Sequence, residues 1–368
     1  MNLVVVNIKK KYTQTALLKN GKAIEVLIDD KDNVSKVGNI YMAIVRDVHP
    51  NFCFVDIAGE TGFLQEQSFK ERDLVLVQVK KDKTETKATF VSQTITLAGK
   101  YIVLRKNANS VTISKKIEGA GHSEFAKTIC PKGYGIVLRT DSEKASEEDI
   151  AKEVTNLHNK IEEMNKVDSP SLLYSPNEIT YYESSLRSFL PEAEKIVTNN
   201  DIDKIKKITE GYELLFTTYS ETHDLFNEYE INKQLDMREK VWLKSGGYIL
   251  IEQTKALIVI DVNTGKSLRK DMFLRTNKEA AAEIAYQLRL RNLSGMIMVD
   301  FINMSSKDDE EELLKHLIEE TKKDRIKVNV LGITNLGLIE LTRKKTRETL
   351  KTSLYNIANK KSNGREEL

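Results

Sequence analysis

Two short apolar runs, each closed by an aspartate, flank one helix-length segment in the last third of the chain. The first run, ALIVI, ends at Asp261, and the second, within GMIMVD, ends at Asp300. Between them, TNKEAAAEIAYQLRLRNLSG has a capping-box pattern at Thr276 and Glu279, with Gly295 after the helix end. A strand, a helix and a strand in this order can bring the two strands side by side. The order therefore predicts two neighbouring carboxylates at strand ends.

Asn263 follows Asp261 by two residues, so both side chains point to the same side of an extended strand. Two carboxylates with a nearby amide suit Mg²⁺, a hard cation that prefers oxygen ligands and retains waters. The same region is rich in cations, namely Lys266, Arg269, Lys270, Arg289 and Arg291. A carboxylate pair surrounded by cations is typical of phosphodiester hydrolysis.

The stretch IVIDVNTGKS also holds Gly265-Lys266-Ser267, the end of a phosphate-binding loop pattern. That pattern needs a glycine five residues before Gly265, where Ile260 stands. A β-branched residue is poorly suited to the turn that wraps a phosphate. The sequence therefore favours a metal-binding carboxylate over a nucleotide-hydrolysing loop.

Composition limits the class of protein. A chain of 368 residues is expected to form two or three domains. Its net charge of +2 means that a nucleic-acid surface must come from local clusters. The two cysteines, Cys53 and Cys130, are far apart and form no C-x-x-C, which argues against a disulfide framework and a zinc knuckle. With no signal-peptide pattern and no apolar stretch of about 20 residues, a cytoplasmic location is expected.

Turn and periodicity signals divide the chain. Asn20-Gly21 between two apolar runs predicts a hairpin in the first 35 residues, and short strand-like runs from Gly38 to about Thr96 predict a small β-barrel. YIVLRK and GIVLRT are read as further strands. Residues 146–166 and 186–211 are predicted to be mainly helical, a second strand-rich unit begins near Trp242 with SGG at a turn, and the tail from Ile339 is expected to be basic and helical.

The exact amino-acid sequences of several segments are more informative about function than their pattern of apolar and polar residues. DVNTGK, NKEAAAEIAYQLRLRNLSGMIMVDFINM, LGLIELTRKKTRETL and KVWLKSGGYILIEQTKAL, together with YTQTALLKNGKAIEV, resemble the ribonuclease E/G family in order and spacing, from roughly residue 11 to 355. The resemblance implies that Asp261 and Asp300 hold the catalytic Mg²⁺ and that Asn263 supports the site. Two departures are Asn303, where the family usually has aspartate, and Lys278, where it has an apolar residue; neither removes a metal ligand.

The resemblance also implies the fold, an α+β multidomain chain. An RNase H-like subdomain would be split by an OB-fold insert and a 5′-sensor segment and followed by a DNase I-like catalytic subdomain. The expected boundaries are 1–35 and 177–236 for the RNase H-like parts, 36–96 for the OB fold, 97–176 for the sensor and 237–368 for the catalytic subdomain.

Two RNA-binding regions follow from the same resemblance. Phe54, Phe63 and Lys87 match the RNA contacts of the OB fold, and aromatics with a lysine suit single-strand binding. Arg139 and Thr140 match the pair that grips an RNA 5′-monophosphate, since an arginine fork and a hydroxyl suit that group. Gly99 and Val103 match the backbone positions that assist.

The sequence therefore predicts a Mg²⁺-dependent endoribonuclease that hydrolyses single-stranded RNA, leaves a 5′-phosphate and acts in RNA processing and decay, including rRNA maturation. A non-catalytic RNA-binding or ribosome-assembly protein and a DNA nuclease are the alternatives. The family's zinc link needs paired thiolates, and no cysteine follows Cys130. No zinc and a monomer or weak homodimer are therefore expected. The scattered histidines (His49, His122, His158, His223 and His316) show no ligand spacing.

Overall fold

The computed structural model describes residues 1–65, 68–83, 87–113, 123–254, 256–265, 273–304 and 306–363. Two compact units account for the chain: Met1–Asp32 with Ser185–Leu368, and Asn33–Ser184. None of the helices within the described ranges is long and apolar enough to cross a bilayer.

The strands of these ranges are β1 (Asn2–Ile8), β2 (Tyr12–Lys19), β3 (Lys22–Asp30), β4 (Ile40–His49), β5 (Phe52–Asp56), β6 (Thr61–Leu64), β7 (Leu74–Lys81), β8 (Thr89–Ser92), β9 (Thr96–Ala98), β10 (Ile102–Lys106), β11 (Val111–Ile113), β12 (Tyr134–Leu138), β13 (Ser171–Tyr174), β14 (Lys195–Thr198), β15 (Leu215–Thr218), β16 (Lys240–Trp242), β17 (Tyr248–Gln253), β18 (Ile258–Asn263), β19 (Gly295–Asp300), β20 (Val328–Ile333) and β21 (Ile339–Arg343). The α-helices are α1 (Ser123–Ile129), α2 (Glu147–Asn165), α3 (Glu183–Phe189), α4 (Ile202–Ile208), α5 (Leu225–Glu228), α6 (Ile231–Gln234), α7 (Phe273–Leu290), α8 (Lys307–Thr321) and α9 (Leu350–Asn363).

The first unit contains a five-stranded sheet in the order β15-β14-β1-β2-β3. The β2–β3 hairpin turns at Asn20 and Gly21, whose φ angles of 49° and 79° are those of a primed two-residue turn, so the predicted hairpin is confirmed. β14 pairs in parallel with β1. The prediction of mainly helical structure over 186–211 is therefore wrong at KIVT, a short buried strand whose partner lies about 190 residues earlier.

The second sheet of this unit has the order β16-β17-β18-β19-β21-β20. Helices α7 and α8 cover one face, where Ile260, Ile297 and Val299 are fully buried. The other face is open: Val259 is 38% and Met296 is 55% exposed. The two apolar runs are thus half-buried strands rather than strands buried on both faces. The predicted helical tail begins with β21, and its helix, α9, starts only at residue 350.

Helix α7 connects the two aspartate-bearing strands. It begins at Phe273, so Thr276 and Glu279 lie inside the helix and the predicted capping box is wrong. Its end is a Schellman motif around Asn292, which has φ 51°, while the N–H of Leu293 donates to the carbonyl oxygen of Leu288 at 3.0 Å. Asn292 therefore takes the left-handed cap position, whereas Gly295, which the sequence predicted to follow the helix end, is the first residue of β19.

Buried charges link α7 to the first sheet of the same unit. The carboxylate of Glu25, on β3, accepts hydrogen bonds from Arg289 at 2.9 Å and from Arg325, and Glu25 is 1% exposed. Arg289 also donates to Glu192 at 2.8 Å. Removing Glu25, the most buried carboxylate of this network and the partner of both arginines, would leave an uncompensated buried charge, which costs about 3–5 kcal/mol.

The second unit contains a closed barrel. Strands β4, β5, β6, β8 and β7 pair in sequence, and β7 pairs back to β4, while β13 adds to β4 from outside. Alternate residues of these strands fill the interior, including Tyr41, Val55, Leu64 and Val77. The small barrel predicted for residues 38–96 is confirmed.

A four-stranded sheet, β11-β12-β10-β9, lies in the same unit and includes the predicted strands YIVLRK and GIVLRT. Helix α2 packs against it through Ile150, Val154 and Ile161, all in one core with Ile102 and Ile136. Ser146 caps α2, since its side chain accepts from the N–H of Asp149, and the helix predicted over 146–166 is confirmed.

Candidate active site and RNA interfaces

The two aspartates of the sequence pattern stand side by side. β18 and β19 are parallel neighbours, and Asp261 and Asp300 are direct partners in their register. Paired residues on adjacent strands point to the same face, and the strands are about 4.8 Å apart. Both side chains therefore extend from the open face of the sheet, where Asp261 is half-buried and Asp300 exposed.

Asn263 orients one of these carboxylates. Its Nδ2 donates to Oδ2 of Asp261 at 2.7 Å, as the shared strand face predicts. Two carboxylates suit Mg²⁺, which binds through one or two such groups and keeps several waters. No group of three or more His, Cys, Asp or Glu side chains with metal-binding geometry occurs in the part of the chain that the structure describes. The residues present fit a hydrated Mg²⁺ better than a fully protein-coordinated ion.

Two turns fix the end of β18. The carboxylate of Glu279, on α7, accepts hydrogen bonds from the N–H groups of Lys244 and Ser245, so it anchors the SGG turn. Gly265 has φ 65°, and a Cβ there would collide with the carbonyl oxygen of Gly246. The glycine thus permits the close approach of the two turns beside Asn263, a requirement of packing rather than of phosphate wrapping.

The cations expected around the pair divide into two groups. Lys266, Arg269 and Lys270 lie outside the described residues. Arg289 and Arg291 are 5% exposed and committed elsewhere: Arg289 to the buried carboxylates described above, and Arg291 to the carbonyl oxygen of Arg238 at 2.9 Å. Their predicted place around the carboxylate pair is therefore wrong. Lys278, the departure from the family pattern, forms an ion pair with Glu312.

The barrel carries an aromatic surface. Phe54 and Phe63 face each other across β5 and β6, with ring centroids 6.0 Å apart, and both are half-buried outside the barrel core. Three further rings extend the row: Phe52 lies 5.2 Å from Phe63, Phe90 lies 6.2 Å from Phe63, and His49 stacks on Phe52 at 4.5 Å. Phe52 could have been found from the sequence, because it is two residues from Phe54 and so points to the same side of β5. Phe90 and His49 lie near these rings only because of how the barrel strands pair.

Lys87 lies near the start of β8 in sequence. It is exposed and sits in a bend two residues before the strand begins, not on the strand as expected. Phe90 on β8 pairs with Phe63 on β6. Lys87 therefore lies just before β8, the strand whose Phe90 completes the aromatic row.

The predicted sensor residues meet at one corner of the four-stranded sheet. The guanidinium of Arg139 donates to the carbonyl oxygen of Gly99, and the backbone N–H of Arg139 donates to Tyr101 at 2.8 Å. Thr140 follows and is exposed. Val103 lies on β10, whose neighbour is the strand that ends at Leu138. The four residues thus surround one turn, at 99–102.

That turn already binds an anion. The N–H groups of Lys100, Tyr101 and Ile102 donate to the carboxylate of Glu153 at 2.6, 2.8 and 2.9 Å. A Cβ at Gly99 would collide with this carboxylate, so a larger residue there would displace the Glu153 side chain from the turn. Successive N–H groups aimed at one point form an anion-binding nest. Sequence reasoning missed Glu153, which lies about 50 residues from its partners.

A barrel with half-buried aromatic rings on its outer surface and a paired-carboxylate site occur in one chain. Together they define a class, the nucleic-acid-processing proteins. Comparisons with known proteins narrow it. A profile of the Ribonuclease E/G family matches residues 96–346. Ribonuclease G of Salmonella typhimurium is 31% identical over 96% of this chain and 82% of its own length, and Ribonuclease G of Haemophilus influenzae is 32% identical over 94% and 80%. Ribonuclease E of Nostoc sp. is 31% identical over 84% of this chain and 51% of its own. The chain belongs to the ribonuclease E/G family.

Proposed function

We propose that this family member, an endoribonuclease, hydrolyses single-stranded RNA in a Mg²⁺-dependent reaction at Asp261 and Asp300. The observation that carries the proposal is the direct pairing of the two aspartates on adjacent parallel strands, on a face open to a polymer. The relatives named Ribonuclease G and Ribonuclease E support the choice of RNA over DNA. RNA processing and decay, with rRNA maturation, is the expected setting, and the cytoplasmic location stays a prediction.

The chain's own residues have distinct parts in this reaction. Asp261 and Asp300 would hold Mg²⁺, which supplies Lewis-acid polarisation of the phosphoryl oxygen and lowers the pKa of a water. Asn263 fixes the Asp261 carboxylate through its 2.7 Å hydrogen bond, so the pair is oriented before RNA arrives. Asp300, which is exposed, meets the scissile phosphate from the open side of the sheet. The products would carry a 3′-hydroxyl and a 5′-phosphate.

The aromatic row of the barrel would bind unpaired bases. Rings at Phe54 and Phe63 are accessible on the outer surface, and base–aromatic stacking contributes about 1–3 kcal/mol per base. Stacking requires a base that is free of a duplex, which favours single strands. Lys87 would contact the phosphate backbone.

A 5′-monophosphate would stimulate cleavage through Arg139 and Thr140. The three N–H groups at 100–102 bind the Glu153 carboxylate, and this supports an anion site at the turn. Because Glu153 occupies the nest, a phosphate would use the arginine fork and the exposed hydroxyl beside it, with Gly99 and Val103 framing the turn. Glu153 would then hold the turn in place and leave the phosphate site beside it free.

The finer architecture is part of the same proposal. The mixed sheet β15-β14-β1-β2-β3 fits an RNase H-like subdomain that the barrel and sensor segments interrupt, and the sheet that carries the aspartates fits a DNase I-like subdomain. The competing function is a non-catalytic RNA-binding protein. Both aspartates and Asn263 are present in one oriented group, which favours catalysis.

A cleavage assay on 5′-labelled RNA tests the proposal. Incubation of a single-stranded oligoribonucleotide with the chain should give discrete products in Mg²⁺ and none in EDTA, while the same sequence in a duplex should stay intact. A ligase that requires 5′-phosphate and 3′-hydroxyl ends should rejoin the products on a splint. Binding of the RNA without cleavage at any Mg²⁺ concentration would favour the non-catalytic function.

A further inference from the structure

An aromatic pair, with Trp242 exposed and Tyr248 half-buried, stands beside the carboxylate site and has no part in the reaction described above. Trp242 on β16 is 63% exposed, although tryptophan is large and usually buried. Tyr248 is its direct partner on β17, and the ring centroids are 5.4 Å apart at 67°. The ammonium group of Lys240 lies 4.1 Å from the Trp242 ring centroid and 3.7 Å from that of Tyr248.

These residues continue the active-site face. Trp242 pairs with Tyr248, and Tyr248 pairs with Asn263, so the three side chains form one row across adjacent strands. Asn263 is bonded to Asp261, which lies about 7 Å further along the strand. The row thus spans the two strand spacings from β16 to β18, the strand that carries Asp261.

The row also borders an open cleft. A cavity of about 660 Å³ is lined by both rings, by Asn263 and by the turns at 245–246 and 264–265. Oγ of Ser245 is buried there and has no hydrogen-bond partner among the described residues. The cleft therefore offers two aromatic walls and polar groups, and the ammonium group of Lys240 lies against the same two rings. Aromatic rings with a nearby cation are the features that bind a base and its phosphate together.

We propose that Trp242 and Tyr248, with Lys240, bind a nucleobase next to the scissile phosphate and so position the RNA on Asp261 and Asp300. This inference rests on the proposed function. Lys240 disfavours a purely apolar occupant, because its ammonium group contacts both rings, and it favours a ligand that brings an aromatic face and a phosphate. These residues would contact the RNA at the cleavage point.

Trp242 is the single tryptophan of the chain, so its fluorescence reports the site without any substitution. We would titrate the chain, in EDTA, with an oligoadenylate and with an abasic ribose-phosphate oligomer of equal length. Stacking should quench the emission with the oligoadenylate and leave it unchanged with the abasic oligomer. Equal signals from both oligomers, or no quenching while the oligoadenylate binds, would overturn the proposal.

Variants give the second readout. By anisotropy of a labelled oligoadenylate, Trp242→Ala should raise Kd about 5- to 150-fold, as expected for the loss of one stacked base, and Trp242→Phe should restore most of the affinity. Leu331→Ala, at a 63% exposed residue on β20, is the matched control and should leave Kd unchanged. Equal Kd values for the wild type and Trp242→Ala would contradict the inference.

The assignment can fail independently of the enzyme activity. Mg²⁺-dependent cleavage without base-dependent quenching would refute the base site and leave the proposed function standing. Base-dependent quenching without cleavage at any Mg²⁺ concentration would support the site and refute the proposed function. In an active chain, an abasic residue beside the scissile phosphate should lower kcat/KM for the wild type and have no further effect on Trp242→Ala.

Discussion

At the scale of single residues, one hydrogen bond determines how the metal ligands are presented. Asn263 donates to Asp261 at 2.7 Å, and such outer partners of metal ligands typically change metal affinity or activity by about 10–100-fold when removed. We expect Asn263→Ala to shift the Mg²⁺ dependence of cleavage to higher concentration by roughly that factor. Asn329→Ala, which removes an amide from β20 of the same sheet, should not shift it. An unchanged Mg²⁺ midpoint in Asn263→Ala would contradict the role.

Arg139 is the residue on which 5′-end sensing depends. Wild-type chain should cleave RNA with a 5′-monophosphate faster than the same RNA with a 5′-hydroxyl, and Arg139→Ala should remove most of the difference. A charge-assisted phosphate contact contributes about 1.5–3 kcal/mol, or about 10–150-fold. Lys132→Ala removes an exposed cation just before β12 and should preserve the preference. Equal wild-type rates on both RNAs would rule out the sensor.

The sequence predicted the hydrogen-bond partner of a side chain only where the two residues are close along the chain. Asn263 and Asp261 are two apart on one strand, so alternation alone placed them together. Arg289 looked like a cation of the active site, but its carboxylate partner, Glu25, is 264 residues away in sequence. Glu153 could not be predicted either, because the N–H groups that it binds lie about 50 residues away. Long-range pairing carries no local signal, and side-chain charge alone does not reveal which face a helix buries.

At the scale of elements, Glu192 ties α7 to strand β2. Lys19 and Arg289 lie 2.6 Å and 2.8 Å from its carboxylate oxygens. Burial alone would raise the pKa of Glu192, but the hydrogen bond from Lys19 and the charge of Arg289 outweigh it and lower the pKa below 4.5. A depressed folded-state pKa stabilises the fold above the unfolded pKa, and this contribution is lost as pH falls below about 4.5.

We therefore expect a pH-dependent effect of Glu192→Gln. Its free energy of unfolding should be lower than that of the wild type by about 1–2 kcal/mol at pH 7, and the difference should shrink as pH falls below 4.5. Urea unfolding at several pH values measures both. Glu311→Gln, in an exposed ion pair 3.9 Å from Lys315, should show no such difference. A difference that does not vary with pH would contradict the ion-pair explanation.

Elements with strong periodicity or turn signals were predictable, and short central strands were not. The Asn20-Gly21 hairpin and α2 with its Ser146 cap follow from local chemistry. β14 has only four residues, too few for a periodicity to be recognised, although three of them are β-branched, and it gains its stability from β1 and β15. The sequence could predict that Asp261 and Asp300 lie close together. That they are direct partners in the strand register is known only from the folded sheet.

At the scale of the whole molecule, the two cysteines bear on assembly. Cys53 is 1% exposed inside the barrel, and Sγ of Cys130 lies 3.3 Å from the carbonyl oxygen of Tyr134. Burial raises the pKa of the Cys130 thiol, which disfavours the thiolate that zinc binds. We expect elemental analysis to give a zinc-to-protein ratio far below one. We also expect chelation to leave the assembly state unchanged. Stoichiometric zinc with dissociation on chelation would show otherwise.

The proposed function depends on hydrolysis at the paired aspartates. Single-turnover cleavage of a single-stranded RNA, at saturating Mg²⁺, should be compared for the wild type, Asp300→Asn and Glu252→Gln, with RNA binding measured for each. Asp300→Asn removes half of the negative charge of the pair, so cleavage should fall by on the order of 100-fold or more while RNA binding is retained. Glu252→Gln, an exposed carboxylate of the same sheet, should cleave normally. Cleavage by Asp300→Asn at near the wild-type rate would contradict the central claim.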